Sequence, residues 1–286
     1  MTQTGAQTGR SARFRWSVLT LVIAGSAAVV FASTSSIDVP GAGSTSAYGI
    51  NNQGQIVGPY LDGSGEEHGF LAYRGTYTTV DVAGWPETEP QDINDRGQIV
   101  GLYFAGPSPS PRHGFVMNDR SVTTIDVPGA HDTQALGINS RGQIVGDYDL
   151  GGVVHGFLAE DGVFTTIDVP GASRTDAHGI NNRGQIVGIY QTGSPFHGFL
   201  LDVGVFTTID VPGASNTYAI GINDRGQIVG AYEAGGVEHG FLLDNGQFTT
   251  IDVASASRTQ ARRINNRGQI VGFYVEAGVT HGFFRN

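Results

Sequence analysis

The stretch Ile180-Asn181-Asn182-Arg183-Gly184-Gln185-Ile186-Val187-Gly188 has five near-copies elsewhere in this chain of 286 residues. Its core, Gly-Gln-Ile-Val-Gly, begins at Gly54, Gly97, Gly142, Gly184, Gly226 and Gly268, at intervals of 43, 45, 42, 42 and 42 residues. Self-similarity with a period in this range indicates a repeat architecture such as a solenoid or a propeller. The sequence therefore predicts six units of about forty-two residues.

Each repeat contains four short runs of β-forming residues, which we call a to d in chain order. In the fourth repeat these runs cover residues 177–181, 185–190, 197–202 and 205–211. Between a and b, Asn181 can cap a type I turn, and Gly184 can take the left-handed conformation that glycine adopts without steric cost. All six units carry this Asn-x-x-Gly signal, which predicts a hairpin between strands a and b.

A histidine and an aspartate recur 13 residues apart, with a turn signal midway between them. Asp161-Gly162 is the midpoint between His155 and Asp168, and Asp-Gly is a strong signal for a two-residue hairpin loop. An odd separation about such a loop places the two side chains opposite each other on strands c and d. The predicted structural pairs, in which each polar group satisfies the other, are His68–Asp81, His113–Asp126, His155–Asp168, His197–Asp210, His239–Asp252 and His281–Asp38.

The last of these pairs joins the two ends of the chain. Asn286 follows the sixth strand c almost at once, and residues 35–39 supply the strand d that the last unit lacks. Such sharing closes a ring and leaves no open sheet edge, whereas a linear β-solenoid has no need of it. We predict an all-β fold, a six-bladed β-propeller of four-stranded blades in which the N-terminal strand completes the last blade.

The repeated strings resemble the HAF extracellular repeat family. The segment from Ile180 to Gly188 carries the first part of that family's motif, and His197-Gly198-Phe199 has glycine where the family has alanine. The resemblance extends from Ile37 to Phe284 and implies a bacterial extracellular setting. It implies no activity and no catalytic residue.

Residues 1–32 resemble a targeting segment. A basic stretch from Arg10 to Arg15 precedes residues 16–32, which carry no charge, and Val30-Phe31-Ala32 fits a cleavage site. The alternative is an uncleaved anchor, because 17 uncharged residues are close to the minimum for a bilayer span. We predict a signal peptide or membrane anchor over residues 1–32, the propeller over residues 33–286, and a secreted or extracytoplasmic cell-surface location.

Charge and cysteine usage restrict the partners. The formal net charge is -10, and all 16 basic residues are arginines because the chain contains no lysine. Such a surface repels a phosphate backbone, which argues against nucleic acid and leaves cations, sugars and basic partners. The chain has no cysteine, so it has no disulfides or thiolate metal sites. We expect no cofactor, no metal centre, a monomer, and membrane contact only through an uncleaved N-terminal segment.

Positions that differ between repeats are better site candidates than repeated ones, because a single ligand on a ring needs non-equivalent residues. The differences concentrate in the d-to-a and b-to-c connections, which share one rim, and in strand a three residues before the turn asparagine. The candidate ligand-binding residues, whose aromatic and polar groups suit a sugar, are Tyr48, Trp85, Gln91, His131, Arg174, His178, Arg258 and Arg262. The acids of the same rim are interpreted as solvated charge, with a weak calcium site as the alternative; they are Asp62, Glu66, Glu67, Asp149, Glu233 and Glu238.

No catalytic residue is predicted, because no nucleophilic serine recurs beside the His–Asp pairs and no Gly-x-Ser-x-Gly motif is present. We predict a secreted or cell-surface, non-enzymatic binding module for a glycan or an extracellular protein. One alternative is a hydrolase or lyase that acts on an extracellular polysaccharide at the central channel. Its acid–base or electrostatic groups would come from His178, Arg262, Arg263 or Asp92. The other alternative is a purely structural surface repeat.

Overall fold

The computed structural model describes residues 34–85, 87–104, 106, 111–119 and 121–286, together with the dipeptides Val18–Leu19 and Ala28–Val29. Every regular element in these residues is a β-strand. No helix in this part of the chain has the length and hydrophobicity of a membrane span. The segment predicted as a signal peptide or anchor, residues 1–32, lies outside the described residues apart from those two dipeptides, so its cleavage stays a prediction.

The strands form six antiparallel sheets that are the blades of a propeller. In chain order they are β1 (Val18–Leu19), β2 (Ala28–Val29), β3 (Thr34–Ile37), β4 (Ser44–Thr45), β5 (Gly49–Ile50), β6 (Ile56–Leu61), β7 (Glu67–Tyr73), β8 (Thr76–Thr79), β9 (Thr88–Ile93), β10 (Ile99–Phe104), β11 (Arg112–Asn118), β12 (Ser121–Ile125), β13 (Asp132–Ile138), β14 (Ile144–Leu150), β15 (Val153–Glu160), β16 (Val163–Ile167), β17 (Arg174–Ile180), β18 (Ile186–Gln191), β19 (Phe196–Asp202), β20 (Val205–Ile209), β21 (Asn216–Ile222), β22 (Ile228–Ala234), β23 (Val237–Asp244), β24 (Gln247–Ile251), β25 (Arg258–Ile264), β26 (Ile270–Glu276) and β27 (Val279–Arg285). Blade I comprises β4 to β8, with its strand a divided between β4 and β5. Blades II to V comprise β9 to β12, β13 to β16, β17 to β20 and β21 to β24, and blade VI comprises β25 to β27 with β3. The short β1 and β2 pair in parallel with β20 and β24, the d strands of blades IV and V.

The ring is closed by β3, which is strand d of blade VI. Ile37 pairs with Gly282 in antiparallel register, and the Nδ1 atom of His281 lies 3.1 Å from a carboxylate oxygen of Asp38. The predicted six-bladed propeller, with its last blade completed by the N-terminal strand, is confirmed.

The a-to-b turns follow directly from the repeated Asn-x-x-Gly sequence. In blade IV the Oδ1 atom of Asn181 accepts hydrogen bonds from the backbone N–H groups of Arg183 and Gln185, each at 3.0 Å. Gly184 has a φ of +81°, which explains why this position is glycine. The asparagine side chain therefore satisfies turn N–H groups that no strand can reach, and the other five blades repeat the arrangement.

The six turn asparagines also bond to one another around the axis. The Nδ2 atom of each donates to the backbone carbonyl oxygen of the asparagine in the next blade, at 3.0–3.1 Å. The members of this asparagine ring are Asn51, Asn94, Asn139, Asn181, Asn223 and Asn265. Each is only 3–4% exposed, and an unsatisfied polar group at such a site costs about 1–3 kcal/mol. The bond from Asn265 back to Asn51 completes the circle.

The hydrophobic core lies between the blades. The valine of each Ile-Val-Gly and the phenylalanine of each His-Gly-Phe are fully buried, as Val145 and Phe157 illustrate. The glycine of Ile-Val-Gly has no room for a side chain, because a Cβ atom on Gly146 would overlap the carbonyl oxygen of Gln134. Burial of a valine or phenylalanine side chain stabilises the fold by about 1.5–3 kcal/mol, so the six copies together hold the blades in contact.

Two strand boundaries in blade IV differ from the prediction by more than one residue. Strand a begins at Arg174 rather than at residue 177, because Thr175 and Asp176 continue the ladder with β18. The register shifts between Ala177 and Gly179, a β-bulge. Strand d ends at Ile209 rather than at residue 211, because the backbone N–H of Val211 donates to the hydroxyl of Thr217 in the next strand a.

Removal of β3 should cost far more stability than removal of the residues before it. A variant that begins at Pro40 leaves β27 without its outer partner and His281 without Asp38. We expect its melting temperature, measured by circular dichroism, to lie about 10 °C or more below that of a control that begins at Thr34, since each 1 kcal/mol shifts Tm by about 2–4 °C in a domain of this size. Equal melting temperatures would refute closure by β3.

Candidate functional site

Strand a of each blade lines the central channel, and three of its positions turn toward the axis and the preceding blade. Side-chain contacts along the strand show that these positions share one face, since Arg174 contacts Asp176 and Arg262 contacts Gln260. Seven residues before the turn asparagine stand Ser44, Glu87, Asp132, Arg174, Asn216 and Arg258. Five residues before it stand Ser46, Glu89, Gln134, Asp176, Tyr218 and Gln260. Three residues before it stand Tyr48, Gln91, Leu136, His178, Ile220 and Arg262. We call these three tiers the channel mouth.

Below the channel mouth, one ion pair closes the channel. Two residues before the turn asparagine, four blades have glycine, but blade II has Asp92 and blade VI has Arg263. The Nε atom of Arg263 lies 3.2 Å from Oδ2 of Asp92, and both side chains are about nine-tenths buried. The guanidinium group of Arg263 also donates to backbone carbonyl oxygens from four blades, those of Leu136, His178, Ile220 and Arg262. This Arg263–Asp92 plug makes the channel mouth a well with a closed end.

Arg262 lies directly above the plug. Its guanidinium carbon is 4.2 Å from the ring centroid of Tyr48, and its Nη atoms donate to Gln260 at 3.0 Å and Gln91 at 3.1 Å. Arg262 belongs to blade VI and Gln91 to blade II, so the hydrogen bond between them spans blade I, which lies between these two blades in the ring. The Nε atom of Arg262 is buried and has no hydrogen-bond partner among the described residues. The floor of the well thus contains a cation, an aromatic face and a free donor.

Two carboxyl groups lie together where blades III and IV meet. Asp147 and Asp176 are 5% and 3% exposed. Arg174 donates to both oxygens of Asp176 at 2.8–3.0 Å, and Gln134 donates to Asp147 at 3.0 Å. Burial and the charge of Asp176 raise the pKa of Asp147 to about 8. Burial also raises the pKa of Asp176, although Arg174 opposes the rise. The pair therefore holds a proton at neutral pH.

Two further groups titrate unusually, His178 in the channel mouth and Glu67 beside its Glu87 and Glu89. Burial and the positive charges of Arg262, Arg263 and Arg174 lower the pKa of His178 well below its usual value, so its imidazole is neutral. Burial and the charge of Glu89 raise the pKa of Glu67 to about 7. The mouth consequently offers proton donors and acceptors of mixed charge rather than a field of one sign.

Six of the eight residues predicted to bind a ligand lie in the channel mouth, and two do not. The six are Tyr48, Gln91, Arg174, His178, Arg258 and Arg262. Trp85 instead stacks on Tyr103, with ring centroids 5.3 Å apart and an interplanar angle of 29°, and so covers blade II. His131 lies in a d-to-a loop, where its side chain is 69% exposed and its Nδ1 atom contacts Asp132 at 3.1 Å.

The six His–Asp pairs are scaffold contacts within the blades. Each histidine Nδ1 lies 2.8–3.1 Å from a carboxylate oxygen of its partner. Sequence reasoning missed the tyrosine that stacks on each histidine, with centroids 5.2–5.5 Å apart. In blades I to V its hydroxyl lies 2.8–3.5 Å from a threonine hydroxyl of strand d. The six-fold recurrence of Tyr in Ile-Val-Gly-x-Tyr was the available signal.

Among the described residues, one group of carboxylate and histidine atoms is close enough together to share a metal ion. It contains Asp62, Glu66 and His68, in the exposed b-to-c loop of blade I. Asp62 Oδ1 already accepts hydrogen bonds from the backbone N–H groups of Ser64 and Glu66 and from the Ser64 hydroxyl. Those bonds account for the loop geometry without an ion.

The losses of stability caused by the two single substitutions in the plug should add up to more than the loss caused by the double substitution. Arg263→Gly leaves Asp92 buried without its cation, and breaking a buried pair costs about 3–5 kcal/mol. The double variant Asp92→Gly/Arg263→Gly matches the other four blades, so we expect urea unfolding to show a smaller loss than the sum of the single losses. Additive losses would show that the two side chains act independently.

The raised pKa of Asp147 predicts a pH-dependent stability. Because the folded carboxyl binds its proton more tightly than the unfolded one, the stability it contributes is complete at low pH and declines as pH rises toward about 8. Asp147→Asn mimics the protonated group and does not titrate. Between pH 5 and pH 9 we expect the free energy of unfolding, measured with urea, to fall by at least about 1 kcal/mol more in wild type than in the variant. If the free energies of unfolding of the two proteins change in parallel with pH, the raised pKa of Asp147 is contradicted.

Comparison with known proteins supports the β-propeller fold but identifies no family to which the chain belongs. No protein-family model and no curated protein sequence matches this chain. Among solved structures, streptogramin B lyase is 9% identical, with a TM-score of 0.53 over 88% of this chain and 97% of that one. A putative TolB from Agrobacterium tumefaciens is 11% identical, with a TM-score of 0.54 over 81% and 90%. An Aleuria aurantia lectin in complex with Fucα1-6GlcNAc is 16% identical, with a TM-score of 0.53 over 84% and 91%. The chain is a β-propeller, similar in fold to lyase, TolB-like and lectin proteins.

Proposed function

We propose that this protein is a non-enzymatic binding protein whose ligand enters the channel mouth. The observation that carries the proposal is the closed well, in which three tiers of non-equivalent side chains stand above the Arg263–Asp92 plug. Such a well can hold the end of a ligand, but it does not let a chain pass through the ring. The blades share their scaffold and differ where a ligand would touch them, as a single asymmetric ligand requires.

The chemistry of the channel mouth suits the end of a glycan. The ring centroids of Tyr48 and the buried Phe273 are 6.1 Å apart, and the guanidinium groups of Arg262 and Arg258 lie over these two rings at 4.2 Å and 5.0 Å. Aromatic faces with a polar rim are well matched to sugar rings and hydroxyl groups. Acids outnumber arginines in the three tiers by four to three, so a neutral polyhydroxyl ligand fits better than an anion.

The proposal places the protein outside the cytoplasm. The predicted leader over residues 1–32 and the resemblance to HAF extracellular repeats support this location. A glycan ligand is consistent with it, and the lectin comparison offers a precedent on the same fold, since that lectin is in complex with Fucα1-6GlcNAc.

A glycan array probed with the chain from Ser33 onward tests the proposal. We expect at least one glycan to bind, and its affinity, measured by calorimetry, to fall at least about tenfold, or about 1.4 kcal/mol, in Arg262→Ala and in Tyr48→Ala. These substitutions remove the cation and the aromatic face on the floor of the well. Val203→Ala is the matched control, because Val203 is 96% exposed on a c-to-d turn at the opposite rim.

Two outcomes would contradict the glycan proposal. A blank array together with specific capture of an extracellular protein by the channel mouth would favour a protein ligand. Binding that Arg262→Ala and Tyr48→Ala leave unchanged would place the ligand elsewhere on the propeller.

The carboxyl pair favours a second candidate function, a hydrolase or lyase that acts on a polysaccharide. A carboxyl group that holds its proton at neutral pH can act as a general acid, and neutral His178 can act as a general base. Asp92 and Arg263, which sequence reasoning also considered for this role, are committed to the plug and do not face the well.

Product analysis separates the two candidates. The enzyme requires that wild type release new reducing ends or unsaturated sugars from the glycan that binds, and that Asp147→Asn abolish release while binding persists. We expect wild type to bind without release, because Asp147 and Asp176 are only 5% and 3% exposed. Release by wild type would overturn the non-enzymatic proposal.

A further inference from the structure

Two cavities lie away from the axis, where the outer strands of one blade face the next blade. The cavity between blades IV and V has a volume of about 290 Å³, and strand d of blade IV, the a-to-b turn of blade V and the end of strand c of blade V line it. A larger cavity of about 1080 Å³ lies between blades I and II and is lined by the same parts of the repeat. We call these two cavities the inter-blade grooves. Neither is lined by a residue of the channel mouth.

The two grooves correspond position by position. Strand d contributes the threonine three residues before the aspartate of the His–Asp pair, Thr207 in one groove and Thr78 in the other. The a-to-b turn contributes its arginine, Arg225 and Arg96 respectively. The apolar positions also match, with Leu200, Ile228 and Leu243 in the first groove and Leu71, Ile99 and Met117 in the second. The groove is therefore a feature of the repeat and occurs at two separate blade boundaries.

Both grooves contain polar groups that the protein leaves without a partner. The guanidinium groups of Arg225 and Arg96 have no hydrogen bond or ion pair with any described residue. In blades III and IV the equivalent arginines instead donate to backbone carbonyl oxygens of the next blade. The hydroxyl groups of Thr207 and Thr78 also have no hydrogen bond within the described part of the chain. Each groove thus offers a free N–H donor and a free hydroxyl group.

Carboxylates in the same grooves determine what charge a ligand can carry. Asp244 lines the groove between blades IV and V, where its two oxygens accept hydrogen bonds from Gln227 and Asn245, each at 3.0 Å. Asp95 and Asp119 line the other groove. A carboxylate has about four acceptor positions, so these groups can also accept from a ligand. An anion would meet the carboxylates and a cation would meet the arginine, so a neutral ligand with both donors and acceptors fits best.

The remaining surface of the groove between blades IV and V is apolar. Ile209, Ile228 and Phe248 line it and are buried. A sugar ring combines an apolar face of C–H groups with hydroxyl groups that both donate and accept, which matches an apolar floor with a few polar groups at its edge. A volume of about 290 Å³ lies at the small end of ligand pockets. It suits a single sugar ring better than an oligosaccharide.

We propose that each inter-blade groove binds one neutral sugar residue. The sugar ring packs on the apolar floor, and its hydroxyl groups bond to the turn arginine, the strand d threonine and the neighbouring carboxylate. These sites are separate from the channel mouth and do not depend on the function proposed for it. Two such sites on one propeller hold a sugar-rich surface or polysaccharide at more than one point, which raises the overall affinity above that of either groove.

An NMR titration of the isotope-labelled full chain tests the proposal. The probes are the methyl glycosides of glucose, galactose, mannose and fucose, at concentrations up to about 50 mM, which detect a Kd in the millimolar range. We expect at least one of them to shift the backbone amide signals of Thr207 and Gly226 in one groove and of Thr78 and Gly97 in the other. Signals of the channel mouth, such as that of Tyr48, report on the mouth separately in the same spectra.

Substitution of the turn arginine should weaken binding in one groove only. Arg225→Gln removes a charged donor, so we expect the Kd measured from Thr207 and Gly226 to rise at least about tenfold. The Kd measured in the other groove should not change. The variant should melt at the wild-type temperature, because Gln53 occupies the same turn position in blade I. Arg74→Gln is the matched control, since Arg74 is an exposed arginine of a c-to-d turn that lines neither groove.

Three outcomes would overturn the proposal. They are no shift in either groove with any of the four glycosides, equal weakening by Arg225→Gln and Arg74→Gln, and tighter groove binding of glucuronate or glucosamine than of the neutral sugar. Shifts confined to the channel mouth would also overturn it and would leave the function proposed for the mouth standing. Shifts confined to the grooves would support the groove sites and give no support to the mouth.

Discussion

The closed circle of amide-to-carbonyl hydrogen bonds in the asparagine ring is the constraint on which the rest of the structure depends. Each turn asparagine uses Oδ1 to shape its own turn and Nδ2 to hold the next blade. The ring therefore links the local hairpin to the blade-to-blade angle through one side chain. Six copies fix the radius at which the a strands meet, and β3 completes the circle at the outer edge of blade VI.

That radius determines what can lie on the axis. The a strands approach so closely that a Cβ atom on Gly179 would lie 2.7 Å from the carbonyl oxygen of Ile220. Four blades consequently have glycine there, and the two exceptions meet as the Arg263–Asp92 plug. The plug divides the axis into the channel mouth on one side and a cavity among the a-to-b turns on the other. The channel mouth differs from blade to blade, whereas the cavity among the turns is lined chiefly by the repeated turn asparagines.

The sequence predicts the fold well because its main determinants are local and repeated. Asn-x-x-Gly defines one hairpin and Asp161-Gly162 the other, where φ values of +50° and +78° confirm a turn of the I′ kind. Closure by β3 could be predicted because one strand is missing at one end of the chain and present at the other. The tyrosines that stack on the histidines escaped notice because tyrosine is common in strands, and only the stacking distances reveal their role.

The site was harder to predict, since it depends on contacts between distant blades. The position three residues before the turn asparagine could be recognised as variable and near the axis, but the crossing from Arg262 to Gln91 spans 171 residues and follows from no local rule. Trp85 was predicted to bind a ligand because its ring can stack on a sugar. It instead lies in a loop outside the well, where its ring stacks on that of Tyr103. The pairing of Asp147 with Asp176 arises from blade packing, and no spacing in the sequence indicates it.

Hydrogen–deuterium exchange of wild type and Asn139→Ala is the most direct test of the asparagine ring as the central constraint. Asn139 bonds to Arg141 and Gln143 in its own turn and to Asn181 in the next blade. If the circle acts as one unit, the Asn139→Ala substitution should lower the free energy of exchange of the slowly exchanging amides by a similar amount in all six blades. Loss of protection confined to blades III and IV would contradict this account and show that the blades are stabilised independently.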